Sequence, residues 1–561
     1  MSRQIKIQDD CRQALLRGMD AVADLVGATL GPRGQTVVLG RIVGPALVTK
    51  DGVTVARNIS LSDPWENEGV KLIQEVAQKT NSEAGDGTTA ATILTRALYK
   101  EGIRQITAGA GPQAIERGMR QAVRHVVQEL RRFAIPVPQS DLATLTAVAT
   151  IAANGDREMG SVVAQAVHHA GIEGNYSLDP SPTQETTFEP QPGLQFARGL
   201  DKWPQFANDP RGMAVFVPCN IFITDRHLIS DKDMGAILQA YIAGGGGRTP
   251  LLIIAEDVAQ GALQVLSVNN SGRPGQPPTV TSCPVRAPGS GLEKKESLVD
   301  IAILTGATAY TVAQGQRFDQ VRFDDFGSAD RVLVTPARTT IIGGHGASVR
   351  VEARLHELRE RIKDPEIAEF LRAGYERRLA ALSAKIAIIK IGAGVNSKLL
   401  EKRDRAEDSL NATLGALKEG TVAGGGVALV RCQPALQASI NSNSGDERLG
   451  MEIVLRSLST PLRRIASNAG ASADIVEGKT LEAHLRGDSF NVGYNAESGQ
   501  FEDMVAALVI DPVKVIRLAL ENAVELAGLL LTSAGGVVEV PDPIQALAAQ
   551  QPALARSGGQ L

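Results

Sequence analysis

From Cys11 to Leu30 the apolar residues Leu15, Met19, Val22 and Val26 recur at intervals of three and four, and Ile115, Met119, Val123, Val126 and Leu130 repeat the pattern. That spacing lines one stripe of a 3.6-residue repeat and predicts two amphipathic helices. Gly109 to Pro112 interrupts the chain before the second, and Pro136 with Pro138 closes it, because proline lacks the amide that a helix interior needs. The chain up to Pro136 thus reads as mainly helical.

In the middle the period shortens. Short β-rich runs at Asn220 to Thr224, Pro250 to Ala255, Arg331 to Thr335 and Lys385 to Ile391 alternate with Gly/Pro-rich turns, which predicts an α/β region. Between Val351 and Leu382 a charged stretch carries Leu355, Leu358, Ile362, Ile367, Leu371 and Leu379, with Pro365 dividing it, and predicts a solvent-facing helical hairpin. Helical periodicity returns at Leu410 to Leu417, Met451 to Ala466 and Val513 to Leu531. Helical ends therefore flank an α/β insert. Inserted domains are tolerated at loops and domain termini often lie close, so both ends are expected to fold together.

A chain of 561 residues exceeds what one hydrophobic core usually supports, in keeping with a multidomain α and α/β fold. With 58 basic against 62 acidic residues, a net charge of -4, it has no basic field for a phosphate backbone, and nucleic acid is excluded as a primary partner. Aromatics make up only 4% and glycines number 57, so the cores must rest on small aliphatic residues and close backbone approach. Cys11, Cys219, Cys283 and Cys432 are far apart and include no CxxC pair, which points to a reducing compartment. The opening MSRQIKIQDD has no apolar core of a signal peptide, and Leu526 to Val538 is too short to span a bilayer. The expectation is a cytoplasmic protein with no integral membrane segment, and a mobile tail at 541–561, rich in Ala, Gln and Pro.

The strongest local signal is Ala84-Gly85-Asp86-Gly87-Thr88-Thr89, opening an apolar-periodic run from Ala90 to Ile106. Glycines let backbone amides approach a ligand, threonines are expected to cap the helix, and a helix N-terminus attracts phosphate. Asp86 would repel phosphate unless a cation stood between them, which suggests Mg²⁺ and a nucleotide. The same residues would also suit an Asp-Gly turn before an ordinary helix. Thr29 to Gly34, Lys50-Asp51-Gly52 and Ala423 to Gly426 are weaker backbone cradles, and Asp51 and Asp408 are candidates either for orienting water or for capping. Gly244 to Thr249 lacks the lysine of a phosphate-binding loop and runs into a strand, so it reads as a loop. Gly392-Ala393-Gly394 lacks the third glycine and the distal acid of a dinucleotide fingerprint. The seven histidines are scattered, without ligand spacing or a nucleophile triad, and read as surface or core residues.

In order along the chain, TLGPRG at 29–34, TKDGVTVAR at 49–57, AGDGTTAAT at 84–92, LLIIAEDV at 251–258, TTIIGG at 339–344, AED at 406–408, VAGGGVAL at 422–429, GYNA at 493–496 and IDPVKV at 510–515 resemble the group I chaperonins, the 60-kDa heat-shock family. The resemblance spans nearly the whole chain. It implies a mainly helical equatorial domain from 1–132 and 419–540, an intermediate hinge domain from 133–191 and 386–418, and an α/β apical domain at 192–385. It implies an ATPase coupled to protein folding, acting on non-native polypeptides. A homo-oligomer of stacked seven-membered rings and a small co-chaperonin come with it. ATP would be cradled by Thr29, Leu30, Gly31, Pro32, Lys50, Asp86, Gly87, Thr88, Thr89, Ala90, Gly425, Asn495, Ala496, Glu497 and Asp511. Asp86 would hold Mg²⁺, and Asp51 and Asp408 would act on the attacking water.

The sequence also departs from that family. Ala90 stands where a third threonine is usual, and Glu497 where alanine is. One hinge keeps Gly193, whereas the other reads Ala384-Lys385 in place of a glycine pair, which removes backbone freedom. In the client-binding groove Leu200, Phe206, Leu238, Leu263 and Val268 keep apolar character, but Gln205, Gly235 and Ser267 do not, and a Pro-rich stretch runs from Pro274 to Pro288. These changes suit a rival expectation, a divergent relative that serves as a protein-binding or membrane-associated scaffold with little ATP cycling.

Overall fold

The computed structural model describes residues 2–40, 46–172, 174–209, 212–271, 278–364, 367–394 and 396–540; the tail at 541–561 and part of the Pro-rich stretch lie outside them. The chain gathers into two compact units, one of Met1–Ile172, Leu178–Phe188 and Ile389–Leu561, the other of Glu173–Ser177 and Glu189–Ile388.

The first unit is a helical bundle. Leu15, Met19, Val22 and Val26 are all buried on the Gln8–Ala28 helix, and Ile115, Met119, Val123, Val126 and Leu130 on Pro112–Phe133, as one-sided periodicity requires. Pro64–Ala84, Thr88–Thr107, Gly445–Ser457 and Val513–Thr532 complete the core. Glycines bring the helices together: a Cβ at Gly18 would lie 1.8 Å from the Glu66 carbonyl oxygen, and one at Gly69 would lie 2.1 Å from that of Leu15. Gly118 and Gly450 meet Glu447 and Ile115 in the same reciprocal way. Close backbone contact thus does the packing that aromatics do elsewhere. The two chain ends pair directly, Ser2–Ile7 running antiparallel to Gly535–Val540.

One expected helix is two. Gly445–Ser457 ends before Thr460–Asn468 begins, because Pro461 fits the first turn of a helix and not its interior. Among the described residues no helix is long and apolar enough to cross a membrane.

The second unit is built on a mixed sheet. Ser282–Arg286, Leu251–Ala255 and Cys219–Thr224 are parallel neighbours, followed by the antiparallel strands Gly327–Val334 and Thr339–Gly344, with Gly193 to Phe196 pairing beyond them. Gly193 sits there for close approach, since a Cβ would fall 1.9 Å from Ile386 Cδ1. The expected hairpin is Ser348–Lys363 and Glu369–Leu382, and it is anchored as well as solvated. Arg378 grips the buried Asp300 at 2.6 and 2.9 Å, and Arg354 reaches the same carboxylate at 2.8 Å. Gly246–Arg248 is a single helical turn leading into a strand.

Candidate functional site

Pro64–Ala84 starts on Asp63, whose side chain accepts from the amides of Trp65 and Glu66, and stops at Gly85 in the left-handed region, φ 76°. Two residues later Gly87, φ 82°, is the N-cap of Thr88–Thr107. Asp86 is therefore held between two left-handed glycines in a turn that joins two core helices. The threonines do not cap, contrary to expectation: the N-cap is Gly87, no side chain bonds the first amides, and the Thr88 carbonyl accepts from the Thr92 hydroxyl. A bare helix N-terminus with its partial positive charge is what remains.

The turn is wedged between two other helices. A Cβ at Gly85 would strike Asn411 Cβ at 2.2 Å, on the Asn396–Glu419 helix, and one at Gly87 would meet Val515 Cγ1 at 2.8 Å. Asp408 lies three residues before Asn411, on the same helical face, and Asp511 shortly before Val515. Gly52 packs against Thr89, its Cβ position 2.2 Å from Oγ1, which brings Asp51 in from the other side. Asp51 caps the short Gly52–Arg57 helix, accepting from Thr54 N–H at 2.9 Å and Val53 N–H at 3.3 Å.

The result is a cluster of partly buried carboxylates in which Asp86, Asp408 and Asp511 have raised proton affinities and the charge of Asp51 acts on the first two. Loss of water pushes Asp86 up to about 6, opposed by the Gly87 amide, which donates to Oδ1 at 2.5 Å, and helped by the charge of Asp51. Loss of water and the charge of Asp86 push Asp511 up to about 7, although the Gly425 amide donates to it. Asp408 goes highest, to about 8, through loss of water and then the charges of Asp86 and Asp51, with an Asn81 side-chain hydrogen bond working the other way. Such a cluster calls for a cation. Among the described residues no three acids, histidines or cysteines close into a ligand set. An ion here would take one carboxylate plus phosphate oxygens and water, which suits Mg²⁺.

The remaining expected residues form two connected groups, with Gly425 against Asp511. Thr29 bonds its own helix through Val26, Gly31 has φ 85°, and Lys50 Nζ donates to the Pro32 carbonyl at 3.2 Å, so Leu30 to Pro32 and Lys50 form one rim. Arg33 bonds the Glu497 carbonyl, tying that rim to Asn495, Ala496 and Glu497. Asn495 is turned inward: its amide donates to Glu502 and its Oδ1 accepts from Glu497 N–H. Gly425, φ 67°, presents its backbone beside Asp511, while Ala90 packs on the helical core.

Two asparagines were not legible as site residues. Asn468 donates to the carbonyls of Gly27 and Leu30, both at 2.9 Å, fixing the rim, and Asn81 holds Asp408. Asn81 lies in the polar run from Gln78 to Glu83 and Asn468 follows Ser467, so neither stands out from its neighbours in the sequence.

In the second unit the expected client surface needs correction. Leu200, Phe206 and Leu238 are at most 4% exposed and belong to its core, so their side chains offer almost no area to a partner. Leu263 packs partly against that core, whereas Val268 is 67% exposed. A groove between Asp231–Ala243 and Gln260–Ser271 is lined by Gly235, Leu238, Gln239, Ile242, Ala243, Val265 and Asn269. Ile242, one turn beyond Leu238, supplies exposed apolar surface that the sequence reading missed.

The TCP-1/cpn60 chaperonin family model matches residues 22–186 and 249–535. Among solved structures, the fold is similar to the chaperonin gp146 from the bacteriophage EL 2 (Pseudomonas aeruginosa), crystallised in the presence of ATP-BeFx. The two chains are 21% identical over 96% of this one and 99% of that one, with TM-scores of 0.61 and 0.58 in two crystal forms. The unmatched stretch contains Leu200, Gln205, Phe206, Gly235 and Leu238, where the groove departs from expectation. All four acids of the cluster lie inside the matched residues, and the chain belongs to the TCP-1/cpn60 chaperonin family.

Proposed function

We propose that this protein is an ATP-dependent chaperone subunit that captures non-native polypeptides and promotes their folding in a ring cavity. The observation that carries the reading is the set of three acids, Asp86, Asp408 and Asp511, whose proton affinities burial and neighbouring charge raise at an uncapped helix N-terminus, in a chain of this family. The first amides of Thr88–Thr107 attract phosphate, and the Lys50 ammonium, on the rim at Pro32, supplies positive charge. Asp86 is the residue to hold Mg²⁺, which when bound neutralises the phosphates and withdraws charge from them. Asp408 orients the attacking water and takes its proton, and its high proton affinity suits that task. Asp51 serves the same water through whichever lone pairs its capping bonds leave free.

The three-part division into equatorial, intermediate and apical domains belongs to this reading, as do the cytoplasmic setting, the small co-chaperonin and the stacked seven-membered rings. Assembly draws support from two short ribbons in the first unit. Ser2–Ile7 with Gly535–Val540 exposes Ile5, Ile7 and Val537, and Val37–Leu39 with Leu47–Thr49 exposes Val38 and Val48. Two-stranded ribbons are marginal alone and their edges invite pairing with another copy. Client capture falls to the groove beside Ile242 and to Val268. The buried Leu200, Phe206 and Leu238 favour the rival scaffold reading to the extent that they shrink this surface. Refolding of a denatured test protein with and without ATP, alongside ATP turnover and particle mass, separates the two: a scaffold binds without turnover or refolding.

A further inference from the structure

Scattered histidines gave no sign of a Ser-His-Asp array, yet the second unit contains one. Ser328 and Asp330 are two apart on Gly327–Val334 and leave it on the solvent side, with Ala329 buried between them. The antiparallel partner Thr339–Gly344 sets Gly344 opposite Ala329, and the next residue, His345, donates its backbone N–H to the Ser328 carbonyl at 3.0 Å. Register alone therefore stands the imidazole beside both side chains. Its Nδ1 lies 2.9 Å from Ser328 Oγ and its Nε2 lies 2.9 Å from Asp330 Oδ1. Gly343 clears the space: it has φ 61°, and a Cβ there would fall 2.1 Å from Asp330 Oδ2.

Hydrogen-bond chemistry then assigns the roles. An ionised carboxylate only accepts, so Asp330 fixes the ring proton on Nε2 and leaves the Nδ1 lone pair facing the serine hydroxyl. That is the order of a nucleophile, its base and the group that orients the base.

We propose that Ser328 is an activated nucleophile and that this array is an acyl-transfer site, independent of ATP, for small unhindered carboxylic esters. The Ser328 oxygen bonds to the acyl carbon while its proton passes to His345 Nδ1. The ester C–O bond breaks and the same proton goes to the departing alkoxide, releasing the alcohol. Water then attacks the acyl-serine, giving one proton to Nδ1; the acyl–serine bond breaks, that proton returns to the Ser328 oxygen, and the carboxylic acid leaves. Asp330 stays ionised throughout. More than half of the Asp330 and His345 side-chain surface is open to solvent, so water screens the pair and turnover is modest.

The test uses the full chain and p-nitrophenyl acetate, with p-nitrophenol release and peptide mass spectrometry as readouts. The wild type should carry acetyl on Ser328. Ser328→Ala and His345→Ala should lose release by about tenfold or more, and Asp330→Asn by less. His345→Gln keeps a hydrogen-bonding side chain but no base, so it should lose labelling with little change in melting temperature. Acetyl groups spread over lysines with none on Ser328, or equal labelling of Ser328 in His345→Gln, would overturn the proposal and leave the array a polar clasp between two strands.

Discussion

The charge of Asp86 raises the proton affinity of Asp408, which burial has already raised, so the acid assigned to the attacking water still holds much of its proton near neutral pH until a cation arrives. This coupling has a measurable sign. Asp86, Asp408 and Asp511 all have folded-state values above the ordinary 3.8, so the stability they contribute is complete below that value and is lost as pH rises through about 6 to 8. With Mg²⁺ chelated, the melting temperature should fall between pH 5 and 8 more steeply in the wild type than in Asp408→Asn. Equal slopes would show that the acids do not interact as described.

Cation binding should release protons for the same reason. Titrating Mg²⁺ with ADP near pH 7.5, in two buffers of different ionisation enthalpy, should show release of up to about one proton. Asp86→Ala should weaken Mg-nucleotide binding and abolish most of that release. Unchanged affinity in Asp86→Ala would remove it as the metal ligand.

In the groove, burial and exposure separate two kinds of leucine-like residue. Leu238→Ala should destabilise the protein by about 2–5 kcal/mol, because it empties a core position. Ile242→Asp and Val268→Asp, at exposed positions, should leave the melting temperature nearly unchanged and weaken capture of a denatured client. Client affinity by fluorescence anisotropy, without nucleotide, distinguishes them; full capture by the double substitution would place the client surface elsewhere.

The ribbons make an assembly prediction. Val38→Lys with Val48→Lys alters two facing, exposed residues of one ribbon, so the subunit should fold while the particle dissociates. Sedimentation velocity reads the outcome directly. An intact particle would exclude this ribbon from the contact between copies.

How much of this was legible depends on how local the cause is. The helix carrying Leu15, Met19, Val22 and Val26 was readable because burial on one side imposes its own period. The turn at Asp86 was readable because its glycines are required by the left-handed backbone at 85 and 87. Leu238 and Ile242 are both apolar and one turn apart, and only tertiary packing decides that the first is core and the second surface. Asn81 reaches Asp408 across more than 300 residues, and His345 meets Ser328 through strand register, neither of which a local pattern encodes. The threonines at 88 and 89 do not cap their helix because the left-handed glycine before them is itself the N-cap.

In the proposed function Asp408 acts in the transition state rather than in binding. Asp408→Asn keeps the shape of the side chain and its contact region with Asn81 while removing the charge. Single-turnover hydrolysis and equilibrium binding of ATP, measured on the same preparation with Mg²⁺, give the decisive comparison. ATP affinity should stay within about threefold of wild type while hydrolysis slows by about 100-fold or more. Hydrolysis near the wild-type rate, or a loss of affinity as large as the loss of turnover, would contradict it.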